Sequence, residues 1–295
     1  MLMRRGYMAH VAVLGSNGQL GSDVLKILGE AGHQILAATS ADLDATAPVV
    51  LQQLQRYADV DYLINCIART NVDGCEDNPE LAFTVNAAFV THLARFCNSN
   101  RIVLIHISTD YVYSGTATVP YFEIEQPHPL NVYGLSKYAG ELAVAMYTEQ
   151  YFILRVAALF GIAGASGKGG NFVTTMLKLA NTAESIKVIN DQWTCPTHTL
   201  DVARAINAFI QAQTQNFGIY NCVSSTACSW FTFTQEILRI SGHDHTKVKP
   251  ISYREYQFKA VRPQYGILNI DKLSKIYQMP SYQDALAEYL QLKGF

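Results

Sequence analysis

The sequence predicts an α/β fold: a doubly wound parallel sheet with a smaller C-terminal lobe. Two observations carry that prediction. Short apolar runs of strand length alternate with longer segments of helical period, as expected of a sheet covered by helices on both faces. A glycine-rich turn, "GSNGQLG", joins the first run to the first helical segment.

Taken in order, "HVAVLG" (His10 to Gly15) is a short buried strand. Leu20, Val24, Ile27 and Leu28 then share one helical face, and Gly29 to Gly32 end that helix. "QILAAT", "DYLINCIA", "RIVLIHIST" and "FILRVAALFG" supply the second to fifth strands. "PELAFTVNAAFVTHLARFC" is helical and lies between the third and fourth. Parallel strands joined in this way need right-handed crossovers. The second part is less regular. "GASGKGGN" (Gly164 to Asn171) is a glycine-rich loop, followed by a helix "FVTTMLKLA", a strand "SIKVIN" and a helix near "LDVARAINAFIQA". Helix and loop dominate from Trp230 onward.

Composition excludes several classes. With 295 residues, 49% hydrophobic and 16% charged, the chain can bury a sizeable core. A formal net charge of -2 gives no field that would favour nucleic acid or an anionic membrane. Arg4 and Arg5 precede an apolar run too short for a signal peptide. No stretch approaches the roughly 18 apolar residues of a membrane span. These features predict a soluble, cytoplasmic protein. The six cysteines (Cys66, Cys75, Cys97, Cys195, Cys222 and Cys228) show no C-x-x-C spacing and read as small buried hydrophobes rather than disulfides. His243 and His245 lack further ligands nearby in the sequence, so no metal site is expected.

The turn places glycines at 15, 18 and 21, after a strand and at the start of a helix. Glycine lets backbone amides approach a pyrophosphate, and the helix N-terminus adds unpaired N–H groups and partial positive charge. The fold is therefore expected to be Rossmann-like and to bind a dinucleotide. At the end of the second strand stand Thr39 and Ser40, with Asp42 close by, instead of a carboxylate at the tip. Small hydroxyls accommodate a 2′-phosphate, so NADP is favoured over NAD. The expected dinucleotide-binding domain covers residues 1–165, with some return of the chain around 186–220. Residues 166–185 and 221–295 form the expected substrate-binding lobe.

"NVYGLSKYAGE" carries Tyr133 and, one helical turn later, Lys137. "HISTDYVYSG" delivers Ser108 and Thr109 to the C-terminal edge of the sheet, where open α/β folds bind ligands. The three hydroxyls are expected to converge on one substrate oxygen. The ammonium of Lys137 is expected to lower the pKa of Tyr133, which would give a proton to a carbonyl while hydride arrives at its carbon. Thr109 would hold that oxygen. A second such pair, Tyr289 and Lys293, follows no strand end and reads as surface or packing.

Together "GSNGQLG", "STDYVY", "NVYGLSKYAGE" and "DQWTCPT" resemble the extended short-chain dehydrogenase/reductases, and more narrowly the dTDP-4-dehydrorhamnose reductases. "NVDGCEDNPELAFTVNA", "GGNFVTTMLKLA" and "RPQYGILNIDKL" extend the likeness over nearly the whole chain. The resemblance implies NAD(P)H-dependent reduction of the C4 ketone of a deoxysugar carried on dTDP. Thr109, Tyr133 and Lys137 would be catalytic. Gly15, Asn17, Gly18, Gln19, Leu20, Gly21, Ala68 and Ser108 would join Tyr133 and Lys137 around the cofactor. Asn171, Trp193 and Arg262 would join Thr109 in binding substrate; the alternatives are a helix cap for Asn171, core packing for Trp193 and a surface ion pair for Arg262. Sugar-nucleotide dehydratases of this superfamily place Asp-Glu after the threonine; here Asp110 is followed by Tyr111, which favours reduction over water loss. Two departures are Arg69, where relatives carry an aromatic residue or histidine, and Val156-Ala157, where Thr-Ser is frequent. A nucleotide sugar is the expected partner and a homodimer the expected assembly. The rival readings are a non-catalytic NADP-binding subunit resembling the methionine adenosyltransferase β subunit, and a nucleotide-sugar 4-epimerase.

Overall fold

Six parallel strands build the central sheet in a computed structural model that describes residues 7–164 and 170–295. Arg4, Arg5 and residues 165–169 of the glycine-rich loop lie outside the described residues. The strands are β1 (His10–Leu14), β2 (Gln34–Ala38), β3 (Tyr62–Asn65), β4 (Val103–Thr109), β5 (Tyr151–Val156) and β6 (Gly218–Asn221). Their spatial order is β6-β5-β4-β3-β1-β2. The order reverses between β1 and β3, so the C-terminal end of β1 opens at a switch point where such sheets bind ligands.

The main helices are α1 (Gln19–Glu30), α2 (Val72–Asp77), α3 (79–100), α4 (Val132–Tyr147), α5 (Phe172–Thr182), α6 (Thr199–Ala212), α7 (Trp230–Ile240) and α8 (Tyr282–Lys293). Helix α3 contains one π turn, Thr84–Ala88. Alternate strand residues serve opposite faces of the sheet. Val11, Val13, Ile64, Ile105 and Leu154 pack with Leu20 and Val24 of α1 and with Ile206 and Phe209 of α6. Ala12, Leu14, Leu63, Leu104 and Ile153 pack with Phe89, Leu93 and Cys97 of α3 and with Val144 of α4. Double burial is why these strands read as unbroken apolar runs.

Register fixes the floor of the site. Leu14 stands opposite Asn65, Asn65 opposite His106, and His106 opposite Ile153. Strand β4 runs on beyond that level to Thr109, paired with Val156 of β5. It therefore overhangs its neighbour β3 and carries Ser108 and Thr109 beyond it.

Some expected strands are shorter than the sequence suggested. Strand β3 stops at Asn65, where its Oδ1 accepts the Ile67 amide at 3.1 Å and turns the chain. The run "FILRVAALFG" breaks at Ala158, with φ of 43°, and Leu159–Phe160 pairs instead with Thr197–His198. The sixth strand, "GIYN", was not anticipated: a glycine and an asparagine, both poor strand formers, occupy two of its four positions. Strand Ile186–Ile189 pairs in parallel with Val248–Ile251 in the smaller lobe, so the chain returns to the large sheet through α6 and β6. The lobe has its own core, built from Phe160, Val173, Phe233, Ile237, Leu286 and Tyr289 among others.

Tyr289 is fully buried, with Lys293 6.0 Å from its ring centroid, so that pair is packing. None of the six cysteines is in a disulfide. His243 shares its Nδ1 with the Ser241 hydroxyl at 2.9 Å. Among the described residues, His198, Asp201 and Glu288 form a cluster of metal-ligand type that sequence reasoning missed. Arg204 spans its two carboxylates, at 2.8 Å from Asp201 and 2.6 Å from Glu288, which marks it as an ion-pair network. No helix among the described residues is long and apolar enough to cross a membrane.

Candidate active site

The glycine turn is built for close approach. Gly15 has φ of +73°, a conformation that L side chains rarely adopt. A Cβ on Gly21 would overlap the Gly15 carbonyl oxygen, so α1 sits directly on the turn. The N-cap of α1 is Gly18, which offers no side-chain cap, and the first amides of the helix keep their anion-binding capacity. Gly15, Asn17, Gly18, Gln19 and Leu20 line a cleft of about 650 Å³, together with Ala68. Gly21 does not line it; it acts through packing. These features fit a dinucleotide pyrophosphate.

Ser40 and Thr46 also line that cleft. Asp42 turns away from it: its Oδ2 accepts both the amide and the hydroxyl of Thr39, at 2.9 and 2.8 Å. Asp44 accepts the amide and hydroxyl of Thr46. Both carboxylates are satisfied within their own loop, and these bonds hold their pKa values below the usual range.

At the other end of the cleft, α4 brings in Tyr133 and Lys137. Asn131 caps the helix, accepting the Gly134 amide at 2.8 Å while its Nδ2 donates to Val261 O at 2.7 Å. A Cβ on Gly134 would overlap the Tyr111 carbonyl oxygen, and one on Gly140 would overlap that of Asn86. The two glycines thus let α4 pack against the segment after β4 on one side and the π turn on the other. Asn86, in that π turn, accepts the Arg69 amide at 2.8 Å and donates to Ser136 Oγ at 2.9 Å. Sequence reasoning missed this tie; a π turn near a site is a recurrent signal, but it is not legible from residue types.

The Thr109 hydroxyl donates to Asp110 Oδ1 at 3.1 Å and stands close enough to Tyr133 to favour its phenolate, and Tyr111 meets the Tyr133 ring edge-on at 5.6 Å. The ring of Tyr133 is partly open, but its hydroxyl is enclosed. Burial raises its pKa, outweighing the lowering by Thr109. This corrects the expected lowering by Lys137. The Lys137 Nζ donates to Ile107 O at 2.6 Å and lies 3.4 Å from His106 Nε2. Burial brings its pKa down to about 8, against the opposing pull of Glu141.

Ser108 also departs from expectation. It lines the cleft, but its hydroxyl donates to Glu141 Oε1 at 2.5 Å and does not join the other two. Glu141 is gripped by Arg155 through Nε at 3.0 Å and Nη2 at 2.6 Å. Asp110, not singled out as a site residue, is buried beside Thr109 and lines the cleft; burial pushes its pKa up to about 7.

A second cavity of about 390 Å³ shares Tyr111 with the first. Phe172, Trp230 and Phe258 give it aromatic walls, and Lys187, Gln192 and Arg262 give it polar groups. Aromatic faces with two cations suit a base and a diphosphate. Of the three substrate candidates, Arg262 is here, over Phe258 at 4.6 Å and paired with Asp73 at 2.9 Å. Trp193 lines neither cavity and is 44% exposed; its neighbour Gln192 lines the second cavity instead. Asn171 caps α5 in a reciprocal box with Thr174, and its Nδ2 donates to Gly161 O at 2.9 Å, so capping occupies it. Arg69 lines neither cavity and its Nε is buried without a partner; Val156 and Ala157 line the larger cleft.

A parallel sheet with a glycine turn at its switch point, and a Tyr–Lys helix facing an overhanging strand, define a Rossmann-type protein of the extended short-chain dehydrogenase/reductase class. The chain belongs to the family described as the RmlD substrate binding domain, which it matches over residues 9–294. It is 33% identical to the spore coat polysaccharide biosynthesis protein SpsK of Bacillus subtilis, over 96% of this chain and 98% of that one. It is 32% identical to the dTDP-4-dehydrorhamnose reductase of Mycobacterium tuberculosis, over 97% of this chain and 93% of that one. The structure of dTDP-4-dehydrorhamnose reductase from Bacillus anthracis in complex with NADP is similar with a TM-score of 0.89 and 34% identity, covering 97% of this chain and all (100%) of that one.

Proposed function

We propose that the protein is an NADPH-dependent reductase of the C4 ketone of a nucleotide-linked deoxysugar, with dTDP-4-dehydro-L-rhamnose as substrate and dTDP-L-rhamnose as product; NADH is the alternative reductant. The observation that carries this reading is the meeting of Thr109, Tyr133 and Lys137 in the cleft that also holds the glycine turn. The adjoining aromatic and cationic cavity supplies a place for the nucleotide.

The dinucleotide, when bound, supplies hydride. Gly15, Gly18 and the α1 N-terminus would hold its pyrophosphate, and Ser40 and Thr46 would lie near its adenosine ribose. Tyr133 keeps its phenolic proton because burial disfavours the phenolate. That is the state a reduction needs: the carbonyl carbon gains hydride, its oxygen becomes an alkoxide, and Tyr133 gives that oxygen a proton. Thr109, whose hydroxyl donates to Asp110 Oδ1 at 3.1 Å, would turn that donor to the same oxygen as its charge develops. The Lys137 ammonium would stabilise the phenolate left behind.

Loss of NADPH absorbance with dTDP-4-dehydro-L-rhamnose tests the reading. Tyr133→Phe should cut kcat about 10²–10⁴-fold with NADPH binding retained. Equal rates in the variant and wild type would remove Tyr133 from the reaction. One NADPH consumed per alcohol formed separates a reductase from a 4-epimerase.

A further inference from the structure

Lys137 has a neighbour that the reaction above does not use. His106, in the middle of β4, is fully buried with its Nε2 3.4 Å from Lys137 Nζ. Its protonation state can be read from its other side. Asn65 stands opposite His106 in the parallel register, and the Asn65 Oδ1 is committed to the Ile67 amide at 3.1 Å. The Asn65 Nδ2 therefore faces His106 Nδ1, at 3.1 Å. A carboxamide nitrogen only donates, so Nδ1 must accept, and the single proton of the neutral imidazole lies on Nε2. Burial keeps the ring neutral, with its pKa well below the ordinary value.

The Nε2–H thus points toward Lys137. An ammonium has donors only and cannot accept it, whereas a free amine has a lone pair that can. The contact opposes the charged form of Lys137. The Ile107 carbonyl accepts from Nζ at 2.6 Å, which an ammonium and an amine can both supply; the other groups around the lysine are few. Cys66, beyond β3, is a neutral thiol whose pKa burial pushes up to about 12. Tyr133 and Glu141 lie one helical turn away on either side. Glu141 favours the ammonium, but Ser108 and Arg155 already share its two oxygens.

We propose that His106, held as its Nε2–H tautomer by Asn65, is a positioning residue that sets how tightly Lys137 keeps its proton. It rests on the reading of Tyr133 and Lys137 as the working pair. Lys137 then sheds its charge within the working pH range, and its support for the Tyr133 phenolate fades as pH rises.

Nitrogen-15 NMR of the histidines in the cofactor-free full chain tests the tautomer directly and needs no variant. Proton on Nε2 of His106 supports the proposal; proton on Nδ1 overturns it, whatever the enzyme does with a sugar. His106→Gln puts a carboxamide near the Nε2 position, free to turn its oxygen toward Lys137. The Lys137 Cε resonance in that variant should titrate about one pH unit higher than in wild type. The basic limb of kcat/KM, measured with NADPH and dTDP-4-dehydro-L-rhamnose, should move up with it. A rate lowered equally at every pH, with the Lys137 midpoint unmoved, would mean a structural role only and sink the proposal. A wild type that binds NADPH but leaves the sugar untouched would refute the proposed function, while the two NMR readouts still decide the role of His106.

Discussion

Glu141 and Arg155 form a buried pair whose strength can be worked out from its partners. Both side chains are at most 2% exposed. Glu141 receives Arg155 on both oxygens and Ser108 on one; Arg155 also reaches Tyr113 Oη at 2.5 Å. Glu141→Leu leaves a guanidinium buried with no counter-charge, which costs about 3–5 kcal/mol. Arg155→Met orphans the carboxylate at a similar cost at pH 8. That group can escape by taking a proton, which a guanidinium cannot do, so the second variant should recover stability at pH 5 and the first should not. With both replaced, neither charge of the pair remains to be desolvated alone. The Ser108 hydroxyl loses its acceptor, while Tyr113 still donates to Phe122 O at 2.9 Å. The double variant should therefore lose only about 1–3 kcal/mol. The single losses would then overstate the double by at least about 3 kcal/mol in a double-mutant cycle. Urea unfolding followed by circular dichroism at both pH values measures all four corners. Costs that add to within about 0.5 kcal/mol would refute the reasoning.

Two further outcomes follow from the site. Asp110 has its pKa raised from 3.8 to about 7 by burial, so its contribution to stability is full below pH 3.8 and is lost as pH rises through 7. Relative to Asp110→Asn, the wild type should lose at most about 4 kcal/mol between pH 4 and pH 8. A stability difference that stays flat with pH would show that Asp110 ionises as freely as in the unfolded chain. Gly21→Ala places a Cβ 2.9 Å from the Gly15 carbonyl carbon and from Ser16 Cα, against backbone that cannot swing aside, and must lift α1 off the turn. NADPH affinity, by calorimetric titration, should fall at least about tenfold, or 1.4 kcal/mol; unchanged affinity would mean the turn does not need that close packing.

Much of this molecule is local and was legible in the residues. Doubly buried strands are apolar along their whole length, the glycine turn must follow the first of them, and Tyr133 and Lys137 share a helix face by spacing alone. Asn131 and the glycines at 134 and 140 are in the same short motif, so the packing that seats α4 is written beside the residues it seats.

What the residues could not disclose is which groups compete for one another across the fold. The Ser108 hydroxyl is spoken for by a glutamate 33 positions away, and Arg262 by Asp73, 189 positions away. Asn171 caps its own helix, but that choice depends on Gly161 and Tyr289 being there to take its amide. The charge states of Tyr133, Lys137 and Asp110 follow from how much water the folded chain excludes, and no spacing rule carries that information. Periodicity and turn chemistry are properties of neighbours along the chain, so the sequence by itself determined the architecture, the cofactor turn and the Tyr–Lys pair. Hydrogen-bond partners and dielectric are properties of neighbours in space, so only the tertiary structure decided which of the candidate side chains are free to act.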